Sequence, residues 1–297
     1  MAREGEMNQI GSSVRYSCRK VDCIRLREAM MNKISRWVLP LLMVWVGIAG
    51  AQDIAIPPAA GAAESALADS PRHGEFVSID VPGEDTKLKL WVVYPERPDK
   101  APVVLVIHEI FGMTDWSNSV ADHLASQGFI AIAPDMISGV EGEGSAAQKV
   151  RALPNEDRVK RLNAARDYGL KLPAATGKVG CIGFCWGGST SFLYAVSQPD
   201  LDAAVVCYGG APDTALLKNA NAPILGLYAG DDARVNTTIP DAEKELKGQG
   251  KSFEYEAFPG AGHGFFRQQS GRDGANLNAA TKGWAKAIAF FHEHLGK

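Results

Sequence analysis

The hydrophobic positions of this chain fall into short continuous runs that are separated by longer amphipathic stretches. "PVVLVIH", which starts at Pro102, and "FIAIAPD", which starts at Phe129, have the length and composition of buried strands. Four further runs of this kind follow, "KVGCIGF", "AAVVCYG", "PILGLYAG" and "FEYEAFPG". Because strands that alternate with helices form βαβ units, the pattern predicts an α/β fold with a mostly parallel central sheet and helices on both faces.

The segments between these runs carry helical signals. "DWSNSVADHLASQG" begins with Asp115 as a candidate N-cap and ends at Gly128, which suits a helix terminus. Further helices are predicted around residues 155–170, after Trp186, near Thr214, around residues 240–247 and up to His294. Upstream of the parallel part, "EFVSIDV" and "LKLWVVYP" flank the turn-like "PGEDT" and predict an antiparallel hairpin.

One segment near the N-terminus has the pattern of a secretory signal peptide. It combines the positive charges of Lys33 and Arg36, a short apolar run and small residues around a cleavage site after Ala51. The apolar run falls short of the roughly 20 residues that a membrane-spanning helix needs. Residues 31–51 are therefore expected to direct export to the periplasm or out of the cell, with an uncleaved membrane anchor as the alternative.

The signal peptide divides the chain into parts with different expectations. Residues 1–30 precede the signal and are interpreted as an over-called start. Residues 52–74 are rich in Ala and Pro without any period, which predicts a flexible leader. Residues 75–297 are expected to form a single α/β domain.

Composition and charge narrow the classes of partner. The chain has 297 residues, of which 46% are hydrophobic and 22% charged, with a formal net charge of −3. These are ordinary globular values, and the absence of a basic stripe argues against a nucleic-acid partner. The pattern indicates no cofactor, no metal site and no stable membrane insertion after processing, and it leaves the oligomeric state open. A small molecule is the expected partner.

The stretch "GFCWGG" places a thiol at a sharp corner between a strand and a helix. Gly183, Cys185 and Gly187 fit the nucleophile elbow G-x-Nuc-x-G, with Cys in place of Ser. Glycine is needed on both sides because the strand and the helix pass closely, and the helix N-terminus then favours a thiolate. Cys185 is the expected nucleophile, and a structural cysteine in a Gly-rich turn is the alternative.

Elbow enzymes place an acid and then a histidine after the nucleophile along the chain. "LYAGDDARV" ends an apolar run with Asp231 and Asp232, and "FPGAGHGFF" carries His263 in a Gly-rich loop. We favour Asp232 because Val235 then returns to the core, which leaves Asp231 as a turn residue. His263 is expected to act as general base, with the carboxylate fixing its tautomer.

Together these residues resemble the dienelactone hydrolase family of α/β-hydrolases. The resemblance covers roughly residues 76–295 and depends on "HEIFGMTDW", "GFIAIAPDM", "GKVGCIGFCWGGSTSF", "YAGDDARV" and "PGAGHGFFR". It implies an α/β-hydrolase fold and a triad of Cys185, Asp232 and His263. It also implies that Glu109 lies beside the cysteine and takes its proton when substrate binds, so that the thiolate forms only on demand. A surface glutamate that caps the next loop is the alternative for Glu109.

Two further roles complete the expected site. In elbow geometry the oxyanion hole consists of backbone N–H groups, here those of Ile110 and Trp186. The resemblance implies that Arg267, in "HGFFR", holds a substrate carboxylate, although a solvated loop arginine is the alternative. The family's second carboxylate-binding arginine has no certain counterpart, with Arg151 and Arg158 as candidates. Residues 137–154 are expected to cover the site.

The remaining cysteines have a simpler interpretation. Cys181 and Cys207 lie in apolar runs and are expected to pack in the core. Cys181 precedes Cys185 in an extended strand by roughly 13 Å, whereas a disulfide needs Cα atoms within about 7 Å. No resolving thiol is therefore expected near Cys185, which disfavours a thiol-redox protein.

The leading hypothesis is an exported cysteine hydrolase that cleaves lactone or small carboxylic ester bonds. It would use the Cys-His-Asp triad and an acyl-thioester on Cys185. A broader esterase or acyl hydrolase is one alternative, and the elbow does not distinguish it. A non-catalytic, ligand-binding protein of the same fold is the other, although such a protein would be expected to lose at least one member of the site.

Overall fold

A computed structural model describes residues 55–296 of the chain. These residues belong to one compact unit. The interpretations of residues 1–51, as an over-called start and a signal peptide, concern residues outside the described part. Within residues 55–296, no helix is both long enough and apolar enough to cross a membrane.

In the described part of the chain, eight strands form one sheet in the order β1-β2-β4-β3-β5-β6-β7-β8. The strands are β1 (Gly74–Ile79), β2 (Leu88–Val93), β3 (Ala101–Ile107), β4 (Ile130–Pro134), β5 (Ala175–Phe184), β6 (Ala203–Cys207), β7 (Ile224–Ala229) and β8 (Phe253–Phe258). β2 runs antiparallel to both β1 and β4, and the other neighbouring pairs are parallel. The predicted hairpin and the mostly parallel sheet are confirmed.

Helices cover both faces of this sheet. Those of the described residues are α1 (Ala63–Ala68), α2 (Asp115–Ser126), α3 (Ala146–Ala152), α4 (Asn155–Lys171), α5 (Trp186–Ser197), α6 (Thr214–Leu217), α7 (Ala233–Asn236), α8 (Ile239–Gly248) and α9 (Ala275–Leu295). Residues of α4, α5 and α8 share one apolar cluster, and residues of α2 and α9 share the other. The helices predicted from the sequence are therefore all present.

The alternation of side chains along β3 explains the two clusters. Val103, Leu105 and Ile107 belong to the first cluster, whereas Val104 and Val106 belong to the second. Successive side chains of a strand point to opposite faces, so a strand covered by helices on both sides must be apolar throughout. This is why "PVVLVIH" has no polar position within the strand.

The described part of the predicted leader differs from a flexible segment. Residues 55–74 contain a 3-10 turn (Ala60–Ala62) followed by α1, and Ala63 is fully buried. Arg72 forms an ion pair with Asp122 of α2. The physical reason is that alanine and proline have no periodic pattern of their own but pack readily against an existing apolar surface, which local sequence does not reveal.

The fold brings four candidate residues to one edge of the sheet. Glu109 follows β3, Cys185 follows β5, Asp232 comes shortly after β7 and His263 comes shortly after β8. The carboxyl ends of parallel strands meet at the same edge, where ligand sites of open α/β sheets form. The topology alone therefore makes these distant sequence segments neighbours.

Candidate active site

Cys185 occupies a strained corner between the end of β5 and the start of α5. Its backbone has φ 58° and ψ −113°, a conformation that is rare for a residue with a side chain. The corner is held because the Cys185 N–H donates a hydrogen bond of 3.0 Å to the carbonyl of Cys207. Strain of this kind is retained where the surrounding structure enforces it, commonly at active sites.

The neighbouring glycines are required by close backbone approaches. A Cβ at Gly183 would lie 1.9 Å from the carbonyl oxygen of Gly187. A Cβ at Gly187 would lie 2.2 Å from the carbonyl oxygen of Ile107. Both distances are far below van der Waals contact and involve backbone atoms, which cannot swing away. The close passage of the strand and the helix thus excludes any side chain at Gly183 and Gly187.

His263 and Asp232 form a hydrogen-bonded pair beside the elbow. Asp232 Oδ2 lies 2.5 Å from His263 Nδ1, and the carboxylate is buried. This contact places the Nδ1 proton towards the carboxylate and leaves Nε2 for proton transfer. Asp231 is exposed and instead pairs with Arg272 at 3.1 Å. The structure therefore joins Asp232, rather than its neighbour, to the histidine.

Glu109 is a buried carboxyl group with an incomplete set of partners. Only 5% of the residue is exposed, and its Oε2 atom accepts no hydrogen bond from the described residues. Arg267 Nε lies 3.5 Å from this oxygen, an ion pair rather than a good hydrogen bond. Burial raises the pKa of Glu109 to about 7, and the charge of Arg267 opposes that rise. The group can therefore exchange a proton near neutral pH.

The thiol of Cys185 is held in its protonated form. Burial raises its pKa, and the negative charge of Glu109 raises the pKa further. The backbone N–H of Trp186 and the charge of Arg234 act in the opposite direction. An ordinary thiol has a pKa of about 8.5, so a raised pKa leaves little thiolate at neutral pH. A nucleophilic role therefore needs a nearby base.

A cavity of about 520 Å³ connects these groups. Its lining includes Cys185, His263 and Glu109, together with Ile110 and Trp186, the two residues predicted to supply the oxyanion hole. The volume lies within the range of small-molecule sites. The predicted nucleophile, base, proton acceptor and backbone donors thus share one cavity.

Arginine side chains give the cavity a positive character. Arg267, Arg151 and Arg234 all line it, and the guanidinium of Arg267 lies 4.6 Å from the ring centre of Phe111. Of the two candidates for a second carboxylate-binding arginine, Arg151, at the end of α3, reaches this cavity. Arg158 instead lies over the indole ring of Trp186 at 4.8 Å.

Two residues that the sequence did not single out also shape the site. His108 is buried, its Nδ1 lies 2.7 Å from the Glu109 carbonyl, and its Nε2 accepts from the Met136 N–H at 3.1 Å. Burial lowers the pKa of His108, so the ring is neutral and fixes the loop after β3. In the sequence, the position of His108 directly after an apolar run could have indicated that it lies near the site.

Tyr208 is the second residue that sequence reasoning missed. It lines the cavity, has a positive φ of 41°, and its ring centre lies 5.2 Å from that of His263. Its buried hydroxyl has no hydrogen-bond partner among the described residues. A residue just past the end of β6, at the active edge of the sheet, could have been suspected from topology alone.

The other cysteines of the described chain are structural. Cys181 and Cys207 are both fully buried free thiols. Burial raises the pKa of Cys181 to about 12, which makes it a poor nucleophile. Within residues 55–296, no cluster of three or more His, Cys, Asp or Glu side chains is arranged to hold a metal ion.

Comparison with known sequences identifies relatives along most of the chain. A family model described as the dienelactone hydrolase family matches residues 88–295. A protein from Synechocystis sp. is 30% identical, and the match covers 73% of this chain and 96% of that protein. A protein from Salmonella typhi is 28% identical over 73% of this chain and 87% of its own length. Both are named as candidate carboxymethylenebutenolidases.

Solved structures share the same fold. A candidate dienelactone hydrolase from Klebsiella pneumoniae superposes with a TM-score of 0.64 at 24% identity, covering 74% of this chain and 98% of the other. A dienelactone hydrolase-like promiscuous phosphotriesterase from metagenomic libraries superposes with a TM-score of 0.66 at 23% identity, covering 75% and 98%. The predicted α/β-hydrolase fold is confirmed. With more than half of its length matched by the family model, the chain belongs to the dienelactone hydrolase family of carboxylic ester hydrolases.

Proposed function

We propose that this protein hydrolyses lactones or small carboxylic esters with Cys185 as the nucleophile. The observation that carries the proposal is the shared cavity, which Cys185 lines together with His263 and Glu109, while Asp232 binds the far nitrogen of the histidine. A buried thiol, a base and a second proton acceptor in one cavity form the arrangement that covalent acyl transfer needs.

The first step is proton transfer from the thiol to Glu109. The positive charge of Arg267 lowers the pKa of Glu109 and so weakens it as a base in the empty site. An anionic group of a substrate that engages Arg267 offsets this charge, and the pKa of Glu109 then rises. Glu109 becomes a stronger base only when such a substrate is present, which keeps the Cys185 thiol protonated at other times.

Acylation follows from the thiolate. The sulfur attacks the ester carbonyl carbon, and the oxyanion is stabilised by the backbone N–H groups of Ile110 and Trp186. The C–O bond then breaks, the leaving oxygen takes up the proton that Glu109 received, and an acyl-thioester remains on Cys185. His263 Nε2 next removes a proton from water, hydroxide attacks the thioester, and the released thiolate regains that proton from the imidazolium.

The charge of the cavity indicates which esters fit best. Arg267, Arg151 and Arg234 line it, whereas Glu109 is the acidic residue of the lining. We expect a substrate that carries a carboxylate near the scissile bond, held by the planar fork of Arg267. The apolar surfaces of Ile110 and Phe111 in the same lining favour a broader range of neutral esters as the second candidate.

A panel of carboxylated and neutral lactones and esters tests the proposal, using the parent and Cys185→Ala. Cys185→Ala is expected to lower kcat by several orders of magnitude, because the covalent route is lost, while the circular dichroism spectrum stays that of the parent. Cys181→Ala serves as the matched control, since that thiol is buried away from the cavity and should affect stability more than rate. Near-parental turnover of Cys185→Ala on every substrate would refute the assignment.

Export is part of the same proposal. The motif over residues 31–51 supports a site of action in the periplasm or outside the cell. A thiol that is kept protonated until substrate binds suits such a compartment, because the thiolate is the form that oxidants attack.

A further inference from the structure

Residues 55–68, called here the N-terminal arm, contact the loop that carries two site residues. This loop, residues 259–269, follows β8 and includes His263 and Arg267. The Ala60 N–H donates to the carbonyl of Arg267 at 3.1 Å, and Gln269 Nε2 donates to the carbonyl of Pro57 at 2.7 Å. The arm thus holds the loop by two hydrogen bonds, and it lies outside the region that the family model matches.

The arm is itself anchored on the body of the protein. Trp116 Nε1 of α2 donates to the carbonyl of Pro58 at 3.1 Å. Ala63 is fully buried, and Ile56 and Ala60 pack against the apolar cluster that α2 and α9 share. Because α2 is packed on the central sheet, the arm has a fixed position, and its hydrogen bonds restrict the movement of the loop.

One of the two hydrogen bonds between the arm and the loop involves the backbone of Arg267. Its N–H donates to the carbonyl of Gly264 at 3.0 Å within the loop, and its carbonyl accepts from the arm. The side chain of Arg267 lies 3.5 Å from Glu109 and is stacked over Phe111. A backbone held on both sides limits where the guanidinium can go, so the position of this charge depends on the arm.

We propose that the N-terminal arm is a positioning element that holds Arg267 over Glu109 and so makes the enzyme selective for carboxylated substrates. The inference depends on the proposed function, in which Arg267 recognises the substrate's negative charge. The arm touches no reacting atom, and its effect passes through the Arg267 backbone. Cleavage of the expected signal peptide after Ala51 would leave the whole arm on the mature protein.

Ala60→Pro in the full chain breaks the hydrogen bond and pushes the Arg267 carbonyl away, because the proline ring carbon takes the place of the N–H proton that this carbonyl accepts. Proline has no N–H, and it is tolerated in the first turn of a helical segment, where Ala60 lies. The preceding residue, Ala59, has ψ 157°, which is compatible with a following proline. Ala59→Pro is the matched control, because its φ of −62° already suits proline and the Ala60 N–H remains.

Steady-state kinetics on a carboxylated ester and its neutral isostere form the first readout. For Ala60→Pro we expect KM for the carboxylated ester to rise about three- to tenfold with kcat little changed. A displaced Arg267 charge weakens the binding of the substrate and of the transition state equally. The neutral ester should stay within about twofold, and Ala59→Pro should match the parent on both. Equal losses on the two esters, or none on either, would overturn the proposal.

Hydrogen–deuterium exchange supplies a second readout that needs no substrate. A peptide spanning residues 264–271 should exchange faster in Ala60→Pro than in Ala59→Pro, because the loop has lost one of its two hydrogen bonds to the arm. Unchanged exchange in this peptide would overturn the positioning role. If the parent hydrolysed neither ester, the proposed function would fail, whereas faster exchange confined to the loop would still support the arm's role in holding it.

Discussion

At the scale of a single residue, Glu109 shows most directly how burial changes the acidity of a side chain. A carboxyl group is ordinarily ionised at neutral pH, with a pKa of about 4.3. Burial beside the thiol raises the pKa of Glu109 to about 7, despite the nearby Arg267. The same desolvation that makes the group a usable base must therefore destabilise the folded protein whenever Glu109 is charged.

This cost can be measured through the pH dependence of stability. The pKa of Glu109 is higher in the folded state than in the unfolded state, so the folded state binds more protons between about pH 4 and about pH 7. The free energy of unfolding therefore decreases as the pH rises through that range. Glu109→Gln mimics the neutral form and removes this fall. At each pH, the effect of the substitution is the free energy of unfolding of the variant minus that of the parent. This difference should be about 2–3 kcal/mol more favourable to the variant at pH 8 than at pH 5.

Urea unfolding of the parent and the variant at both pH values checks this expectation. Glu141→Gln, at an exposed glutamate, is the matched control and should show no such difference between the two pH values. If the stability of Glu109→Gln followed that of the parent at both pH values, the raised pKa would be refuted.

Arg267 provides the corresponding prediction about substrate charge. Arg267→Ala should lower kcat/KM for a carboxylated ester about ten- to a hundredfold, because a hydrogen bond to a charged group contributes roughly 1.5–3 kcal/mol. The neutral isostere should lose much less. Measuring kcat/KM for both esters in both proteins decides the point, and equal losses would mean that Arg267 shapes the loop without recognising charge.

Individual residues were predictable from the sequence where a motif fixed their place. The elbow glycines located Cys185, and the return of Val235 to the core favoured Asp232. Tyr208 was missed because it reaches the cavity through tertiary packing, from a bend just past β6 that has no motif of its own. Spacing along the chain does not report such convergence.

At the scale of elements, the strand–turn–helix unit of β5 and α5 is the least tolerant part of the site. The first turn of α5 passes so close to the end of β3 that the two backbones nearly touch at Gly187. This approach brings the Trp186 N–H beside the thiol, where it lowers the thiol pKa. The packing of these elements and the chemistry of the site therefore have the same geometric origin.

Gly187→Ala should disrupt this unit. The added Cβ would lie 2.2 Å from the Ile107 carbonyl oxygen and 2.5 Å from that of His108, so the backbones must separate. Overpacking of this kind costs about 1–3 kcal/mol or more, and we also expect a large loss of kcat. Gly248→Ala, where a Cβ meets nothing within 4 Å, should be neutral or stabilising by up to about 1 kcal/mol. Parental stability and activity of Gly187→Ala, measured by thermal melting and ester hydrolysis, would contradict the steric argument.

Elements were predictable where hydrophobic pattern alone determines them. The strands are covered on both faces and are therefore continuously apolar, which the sequence shows directly. Residues 55–68 gave no such signal, since Ala63 is buried by its contact with α2 rather than by any period of its own. Elements that form on a pre-existing surface are invisible to a local pattern.

At the scale of the whole molecule, residues 55–87, which precede the match to the family model, are built into the same fold as the matched residues. The family model begins at residue 88, yet the described structure is continuous and packed from residue 55 onwards. The ion pair between Arg72 and Asp122, and the hydrogen bond from Trp116 to Pro58, connect this segment to α2. Residues 55–87 are thus expected to persist in the working enzyme.

This arrangement sharpens the prediction of where processing occurs. A signal peptidase cuts an extended, accessible segment, and residues from Pro57 onwards are engaged in the fold, with Pro57 itself buried. Cleavage after Ala51 lies upstream of these contacts and leaves them intact. N-terminal sequencing of the protein from its native host should therefore give Gln52 as the first residue, and cell fractionation should place it outside the cytoplasm. A chain that still carried residues 31–51 would contradict export by cleavage, and a first residue beyond Pro57 would contradict the arm as part of the mature enzyme.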